Sequence, residues 1–260
     1  VCGTDRNDLL VHGEQPVAPE AEEKYLNWIR QRAEHIPLQQ LTGEQGFMGL
    51  TFSVNEHVLI PRQDTEILVE EVLKELHDGM RVLDMCTGSG CILLSLLHYS
   101  NDCEGLGVDL SAEALEVAGR NVLKVLTPEK AEHAHFLQSD LFEKVEGKFE
   151  IIVSNPPYIA SAEVEKLMPE VRDHEPRMAL DGTEDGLHFY RRIIEEAGKH
   201  LVSSGMLFFE IGYDQGQAVS ELMRTEGYCD VQVVQDYAGL DRVVFGTYVT
   251  VQPAPFAKSR

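Results

Sequence analysis

The residues with the clearest capacity for chemistry are Asn155-Pro156-Pro157-Tyr158, which follow the β-prone run 150–154. An amide or aminopurine NH₂ group is a poor nucleophile because its lone pair is delocalised. The side-chain oxygen of Asn155 and the carbonyl of Pro156 can accept both of its hydrogens, while Tyr158 stacks on its plane. Two consecutive prolines keep the segment rigid. We therefore predict a site that orients a planar amino group, with Asn155, Pro156 and Tyr158 as its catalytic residues.

A second candidate is the glycine turn 84–90, which follows a strand-like run and opens a helix. Gly88 and Gly90 let the backbone approach a ligand and leave free N–H groups at the helix N-terminus. A dinucleotide-binding enzyme would have a third glycine at position 93, where this chain has Leu93. This difference disfavours a nicotinamide-dependent dehydrogenase.

Two acidic residues end the next two predicted strands. Asp109 can accept both hydroxyls of a ribose in charge-assisted hydrogen bonds. It is also placed to cap the following helix, but Ser111 is available for that role. Asp140 can accept the exocyclic amino group of an adenine, and a plain turn role stays open for it.

Alternating β-rich and amphipathic runs from Met80 onward predict a sheet covered by helices on both faces. The predicted strands are 81–85, 105–109, 134–138, 150–154, 205–210, 230–234 and 243–249. The predicted helices are 64–77, 90–98, 112–125, 186–201 and 215–225. Only residues 239–241 separate the last two strands, which predicts a parallel α/β sheet ended by an antiparallel strand.

The region before the sheet predicts two smaller units. Residues 1–45 are polar and helix-prone, and 46–60 read as a hairpin linker joined around Asn55-Glu56, ahead of a catalytic domain at 61–260. The helix at 64–77 is expected to be capped near Asp64 or Thr65. Tyr25, Leu26, Trp28 and Ile29 share one helical face, which either contacts a partner or packs on the domain; we favour packing.

Composition narrows the classes of function. The net charge of −22 opposes binding to phosphate backbones, so naked nucleic acid is a poor first candidate for the substrate. No apolar run approaches the ~18 residues of a membrane span. The five cysteines have no CxxC pair and the histidines no ligand spacing, so we expect a reduced, cytoplasmic protein with no metal, acting as a monomer. The chain begins at Val1, and we expect its N-terminal segment to be incomplete.

Taken together, the motifs resemble a known family. Asp84 to Gly90, Asp109, Asp140 and the Asn155 segment, in this order, look like the class I amino-methyltransferases. Residues 47–52, 60–66 and 175–182 resemble the HemK/PrmC glutamine N5-methyltransferases, and the resemblance covers nearly the whole chain.

The resemblance implies a Rossmann-like seven-stranded catalytic sheet behind a helical substrate-recognition segment and a hairpin link. It implies methyl transfer from S-adenosylmethionine, with S-adenosylhomocysteine as product, to the glutamine of the Gly-Gly-Gln motif in class I peptide-chain release factors. No nucleic-acid or membrane partner is implied. The glutamine would be bound by Asn155, Pro156, Pro157 and Tyr158. The cofactor would be bound by Asp84, Cys86, Thr87, Gly88, Ser89, Gly90, Asp109, Asp140, Leu141 and Asn155.

Three positions depart from the family pattern. Cys86 stands where glycine is usual, Gln63 replaces a more frequent proline, and Leu141 replaces an aromatic residue that can stack on adenine. Cofactor affinity is the property that these changes affect. Two alternatives share much of the pattern: an adenine N6-methyltransferase, which normally needs a basic surface, and a non-catalytic scaffold that binds S-adenosylmethionine.

Overall fold

A computed structural model describes residues 3–249 and places most of them around one seven-stranded sheet. The strands are β1 (Glu44–Phe47), β2 (Leu50–Ser53), β3 (Arg81–Met85), β4 (Glu104–Asp109), β5 (Ala134–Gln138), β6 (Phe149–Ser154), β7 (Leu201–Glu210), β8 (Tyr228–Gln235) and β9 (Asp241–Tyr248). The helices are α1 (Arg6–Val11), α2 (Pro19–Ala33), α3 (Leu38–Thr42), α4 (Asp64–Glu75), α5 (Cys91–Tyr99), α6 (Ala112–Val125), α7 (Pro128–Ala131), α8 (Ser161–Val164), α9 (Pro169–Arg172), α10 (His188–His200) and α11 (Gly216–Thr225).

The sheet has the order β5-β4-β3-β6-β7-β9-β8, and β9 alone runs antiparallel to its neighbours. The chain leaves β3 towards β4 and β5, then returns to the other side of β3 as β6. Such a reversal opens a crevice at the carboxyl ends of the two strands. The predicted α/β class with its antiparallel last strand is confirmed.

Apolar side chains cover both faces of the sheet. One cluster lies under α4, α5 and α6, and the other lies under α10 and α11. Leu93 of α5 is fully buried and packs so closely on β4 that a side chain at Gly105 would collide with it. A strand glycine therefore permits the close approach of helix and strand that a helix glycine permits in dinucleotide-binding enzymes.

The hairpin before the sheet is shorter than the sequence predicts. β1 and β2 pair across a two-residue turn at Met48-Gly49, whose φ angles are 51° and 71°. Two residues with positive φ form the turn whose twist matches a hairpin. The predicted junction at Asn55-Glu56 is wrong, because Asn55 instead accepts the backbone N–H of His57 in a local turn. The division of the chain at residues 45 and 60 stays a prediction.

Two further expectations are corrected at the helices. Gln63 is the N-cap residue of α4 and makes no side-chain cap, so the predicted cap at Asp64 or Thr65 is wrong. On α2 no residue is buried: Tyr25, Leu26 and Ile29 are 54%, 44% and 49% exposed and Trp28 is half-buried, so the close packing that we expect for this face is wrong. Among residues 3–249 no helix is long and apolar enough to cross a membrane.

Candidate functional site

A cleft with about 1160 Å³ of empty space, its open mouth included, lies at the carboxyl ends of β3, β4, β5 and β6. Its walls come from three parts of the chain: the linker and start of α4, the glycine turn with the ends of β4 and β5, and the loop after β6. The predicted residues that line it are Cys86, Thr87, Gly88, Ser89, Asp109, Asp140, Leu141, Asn155 and Pro157. Asp84, Gly90, Pro156 and Tyr158 do not line it.

The glycine turn bends sharply between β3 and α5. Cys86, Gly88 and Gly90 have φ angles of 63°, 55° and 78°, and Gly90 is the N-cap residue of α5. A left-handed conformation costs a residue with a Cβ about 1–2 kcal/mol. Cys86 therefore carries strain that the glycine usual at this position would avoid. Burial raises the pKa of the Cys86 thiol, which favours its protonated form.

Asp84 stands at the end of β3 and is fully buried. Its Oδ2 accepts the Thr87 hydroxyl at 2.6 Å and the Leu93 N–H at 3.3 Å, whereas Oδ1 has no hydrogen-bond partner among the described residues. Burial raises the pKa of this carboxyl to about 7. A buried carboxylate with an unused oxygen favours a cationic or hydrogen-donating group beside it.

Asp109 holds two backbone N–H groups. Its Oδ2 accepts from Gly88 and its Oδ1 from Ser111, both at 2.9 Å. Ser111 caps α6, since its Oγ accepts the N–H of Ala114 at 3.1 Å. The carboxylate therefore ties the glycine turn to the end of β4, and burial raises its pKa. Its predicted role in binding a ribose stays a prediction.

At the end of β5, Asp140 forms an ion pair with Arg192 of α10, with 3.0 Å between Oδ1 and Nη1. Sequence reasoning missed Arg192, because it comes from a helix fifty residues away. Leu141 follows with a φ of 47° and is buried at the cleft wall. Asp140 and Leu141 both line the cleft, and their predicted contact with the adenine of the cofactor stays a prediction.

The segment after β6 has two unused acceptors in consecutive residues. The Oδ1 of Asn155 and the carbonyl of Pro156 accept no hydrogen bond from any residue of the described part. The Nδ2 of Asn155 lies 3.4 Å from Oγ1 of Thr65, on the first turn of α4. The hydroxyl of Tyr158 donates to Glu210 at 3.3 Å, so the hydroxyl end of its ring points towards the end of β7.

A second loop supports this segment from behind. Ile159 pairs with the loop at residues 180–182 through N–H bonds of 3.0 and 2.8 Å. A Cβ at Gly182 would lie 2.8 Å from the Pro157 carbonyl oxygen, and a Cβ at Gly186 would overlap the Tyr158 carbonyl oxygen. The backbone of residues 157–158 thus lies directly on two glycines. The stretch 175–182 was so far only a point of resemblance. This contact shows that its end supports the backbone of the Asn155 segment.

The cleft also contains residues that sequence reasoning did not assign to the site. Arg62 and Thr65 line it, and Arg62 donates to the buried Glu175 at 2.7 Å. Glu210, at the carboxyl end of β7, lies below the Asn155 segment. Two sequence features could have identified these residues. Glu210 ends a predicted strand, and Arg62 and Thr65 are polar residues within the stretch 60–66. Within residues 3–249, no group of three acidic, histidine or cysteine residues could hold a metal ion.

Comparisons with known proteins agree with these features. Residues 62–171 match the profile of the methyltransferase small domain, and residues 1–43 match the PrmC N-terminal domain. The chain is 42% identical over 248 residues to the release factor glutamine methyltransferase of Clostridium acetobutylicum, covering 94% of this chain and 86% of that protein. The enzyme of the same name from Moorella thermoacetica is 44% identical over 245 residues, with 93% and 85% covered.

Solved structures show the same architecture. The crystal structure of a methyltransferase from Pyrococcus furiosus superposes with a TM-score of 0.55, over 78% of this chain and 90% of that chain. Sequence identity in this pair is 18%, so the likeness concerns the fold alone.

Proposed function

This chain belongs to the release factor glutamine methyltransferase family, and we propose that it methylates the side-chain amide nitrogen of the glutamine in the Gly-Gly-Gln motif of class I peptide-chain release factors. The methyl donor in this proposal is S-adenosylmethionine. The observation that carries the proposal is a pair of acceptors in consecutive residues that no described residue uses: Oδ1 of Asn155, which lines the cleft, and the carbonyl of Pro156.

The residues of the cleft fit such a donor. Oδ1 of buried Asp84 has no partner among the described residues and suits a cationic group nearby. Apart from the two chain neighbours of Gly88, no residue of 3–249 has an atom within 4 Å of the position of a Cβ there, which leaves space for a ligand against the backbone. Asp109 and Asp140 offer carboxylates for hydroxyl and amino groups. When bound, S-adenosylmethionine supplies an electrophilic methyl group on a sulfonium.

The protein's own part in the reaction is orientation. Asn155 Oδ1 and the Pro156 carbonyl accept the two hydrogens of the glutamine amide, which aims the nitrogen lone pair at the methyl carbon. As the nitrogen took the methyl group, the bond from that carbon to the donor sulfur would break and its electron pair would return to the sulfur as a neutral thioether. The methylated nitrogen would be strongly acidic and would lose one proton to solvent. A dedicated base is not required, and carboxylates such as Asp84 and Asp109 favour a positively charged donor in the cleft.

The proposed partner is therefore a protein, and the proposed compartment is the cytoplasm. The four described cysteines are free thiols, which supports a reducing compartment. The acidic surface supports a protein substrate over a nucleic acid, because Lys and Arg contacts supply most of the affinity for phosphate backbones.

The test is incubation with S-adenosylmethionine and a bacterial class I release factor, followed by peptide mass mapping of the Gly-Gly-Gln segment. We expect the glutamine to gain one methyl group. Asn155→Ala should lower kcat by about a hundredfold or more, since misplacing reacting groups by ~1 Å has that effect. Calorimetry should show cofactor affinity lowered far less than kcat, because Asn155 is only one of the residues predicted to bind the cofactor.

Asn101→Ala serves as the matched control. Asn101 is exposed in the loop before β4, at the opposite edge of the sheet from the cleft. This variant should react at the wild-type rate. An unmodified glutamine together with methylated adenine in an added DNA would assign the site to a different acceptor, and full activity of Asn155→Ala would refute the orientation mechanism.

A further inference from the structure

Below the Asn155 segment lies a buried carboxylate that the reaction above does not use. Glu210 ends β7 and is 2% exposed. Its Oε1 accepts the Tyr158 hydroxyl at 3.3 Å, while Oε2 has no hydrogen-bond partner among the described residues. Its backbone carbonyl accepts the Tyr190 hydroxyl at 2.8 Å, which holds this end of the strand in place. An unpaired buried oxygen is costly, so its retention calls for a reason.

Thr65 connects this carboxylate to the predicted catalytic amide. It is buried at the cleft wall, and its Oγ1 lies 3.4 Å from Nδ2 of Asn155. Thr65 also lies close to Glu210, since burial raises the pKa of Glu210 and the neighbouring Thr65 hydroxyl opposes that rise. The two side chains form no hydrogen bond of ordinary length and angle among the described residues, and Oε2 of Glu210 remains free to accept one. The Thr65 hydroxyl thus lies between the Glu210 carboxyl group and the Asn155 amide.

We propose that Glu210 and Thr65 are positioning residues that fix which way round the side-chain amide of Asn155 faces. Arg242 and Tyr158 also oppose the rise in the pKa of Glu210, and we take its carboxyl group as ionised. An ionised carboxylate can only accept, so we infer that Thr65 turns its single hydrogen towards Glu210. The threonine oxygen is then left as an acceptor and takes a hydrogen from Nδ2 of Asn155. With Nδ2 held in this way, Oδ1 points into the cleft. We name this chain of three side chains the amide-orienting relay.

The orientation matters because the two ends of an asparagine amide have the same shape and opposite hydrogen-bonding character. With the amide reversed, Nδ2 would direct its hydrogens at the NH₂ group of the substrate, and one of the two acceptors for that group would be lost. The proposal rests on the proposed function for its catalytic consequence. The orientation of Asn155 itself can be measured without any substrate.

The first experiment therefore measures the amide directly. In protein labelled with ¹⁵N at asparagine, the Asn155 side-chain resonance is assigned by its disappearance in Asn155→Ala, and the exchange of its hydrogens with solvent is followed by NMR. We expect Thr65→Val to speed this exchange by about tenfold and Thr65→Ser to restore it, because serine keeps the hydroxyl. Glu210→Gln, which can also donate a hydrogen, should disturb the resonance as well.

The second experiment measures kcat, KM and cofactor affinity with release factor for the same variants. Thr65→Val should lower kcat by about tenfold or more with the KM for the release factor nearly unchanged, and Thr65→Ser should recover most of the rate. Ser220→Ala is the control: this hydroxyl is buried without a partner on α11, away from the cleft, and its removal should leave both readouts unchanged.

The outcomes separate the relay from the proposed function. If wild type does not methylate release factor but Thr65→Val speeds exchange at Asn155, the relay holds and the substrate assignment fails. If wild type is active and Thr65→Val matches it in both exchange and kcat, the relay is wrong. Should Thr65→Val unfold, Thr65→Ser and Glu210→Gln decide: wild-type exchange and kcat in Glu210→Gln would overturn the role of the carboxylate.

Discussion

At the scale of single residues, the cleft and the residues directly behind it include several groups that stability alone would disfavour. Behind Thr87, Asp84 is buried with one oxygen that has no partner among residues 3–249, and Cys86 and Leu141 of the cleft wall have positive φ angles although neither is glycine. Strain and unpaired polar atoms of this kind cluster at functional sites, where a ligand or a required backbone path explains them. The departure of Cys86 from the family pattern leaves the backbone path in place and adds a conformational cost, whereas Leu141 replaces an aromatic residue that would carry the same cost at this φ.

Asp84 leads to a prediction about pH. Burial raises its pKa from the ordinary 3.8 to about 7, so the folded protein binds this proton more tightly than the unfolded chain does. Its stabilising contribution is complete below pH 3.8 and is lost as the pH rises through about 7. In Asp84→Asn that loss is absent. Over this pH range and without ligand, the unfolding free energy of wild type should therefore fall by on the order of 4 kcal/mol relative to that of the variant.

Urea denaturation at a series of pH values measures this difference. Other carboxyls with raised pKa, such as Asp109 and Glu210, are present in both proteins and largely cancel in the comparison. Parallel stability curves for the two proteins would show that Asp84 is ionised with its ordinary pKa in the folded state.

At the scale of elements, the site depends on one loop lying against another. The segment 155–159 is fastened to residues 180–186 by backbone hydrogen bonds, and Gln215 donates from Nε2 to the Tyr158 carbonyl at 3.0 Å. These contacts join the Asn155 segment to the loop before α10 and to the start of α11. Catalysis by orientation requires that the reacting groups be held within a fraction of an ångström of their productive positions. Rigid support of this kind keeps them there.

Gly186→Ala tests this support. Gly186 has a φ of 72°, and an added Cβ would overlap the Tyr158 carbonyl oxygen. We expect a loss of about 1–2 kcal/mol in stability from the backbone conformation and, in addition, a fall in kcat of about tenfold or more from displacement of the Asn155 segment. Thermal unfolding and steady-state kinetics measure the two effects.

Gly239→Ala provides the matched control for strain. Gly239 has a φ of 78° in the turn before β9, with nothing within 4 Å of an added Cβ. It should lose similar stability at an unchanged kcat. Equal kinetics for the two variants would mean that the second loop does not position the Asn155 segment.

At the scale of the whole molecule, the N-terminal helices are attached to the catalytic part through a small polar contact. Arg32 donates to both oxygens of Glu170 at 2.8 and 3.3 Å, and Gln40 donates to the His174 carbonyl at 2.7 Å. The Arg32–Glu170 pair is about one-third exposed on each side. Because exposed pairs contribute only ~0.2–1 kcal/mol each, this attachment is weak.

We expect the double variant Arg32→Ala, Gln40→Ala to loosen α2 and α3 without destabilising the sheet. Amide hydrogen exchange in these helices should speed up by about tenfold, while exchange in β3 and β6 stays at the wild-type rate. Lys166→Ala, which removes only a local pair with Glu163, is the control. Equal acceleration in the sheet would show that the N-terminal helices and the sheet unfold as one unit.

The sequence by itself determined the sheet, its helices and most of the cleft. The strands 81–85 and 134–138 and the helix 112–125 were predicted to the residue, because periodic burial and a serine cap are local signals. The Asn155 segment and the glycine turn were identified for the same reason: a strand-end motif places its chemistry at the carboxyl edge of a parallel sheet whatever the rest of the chain does.

Tertiary structure alone decided which groups stand behind that edge. Thr65, Asn155 and Glu210 are each more than fifty residues apart in sequence, and Asp140 and Arg192 are equally distant, so no spacing rule could pair them. Gly186 became meaningful only when the Tyr158 carbonyl was found against it. Local patterns specify which residue ends a strand, whereas the hydrogen-bond partners of that residue depend on how distant segments pack around it.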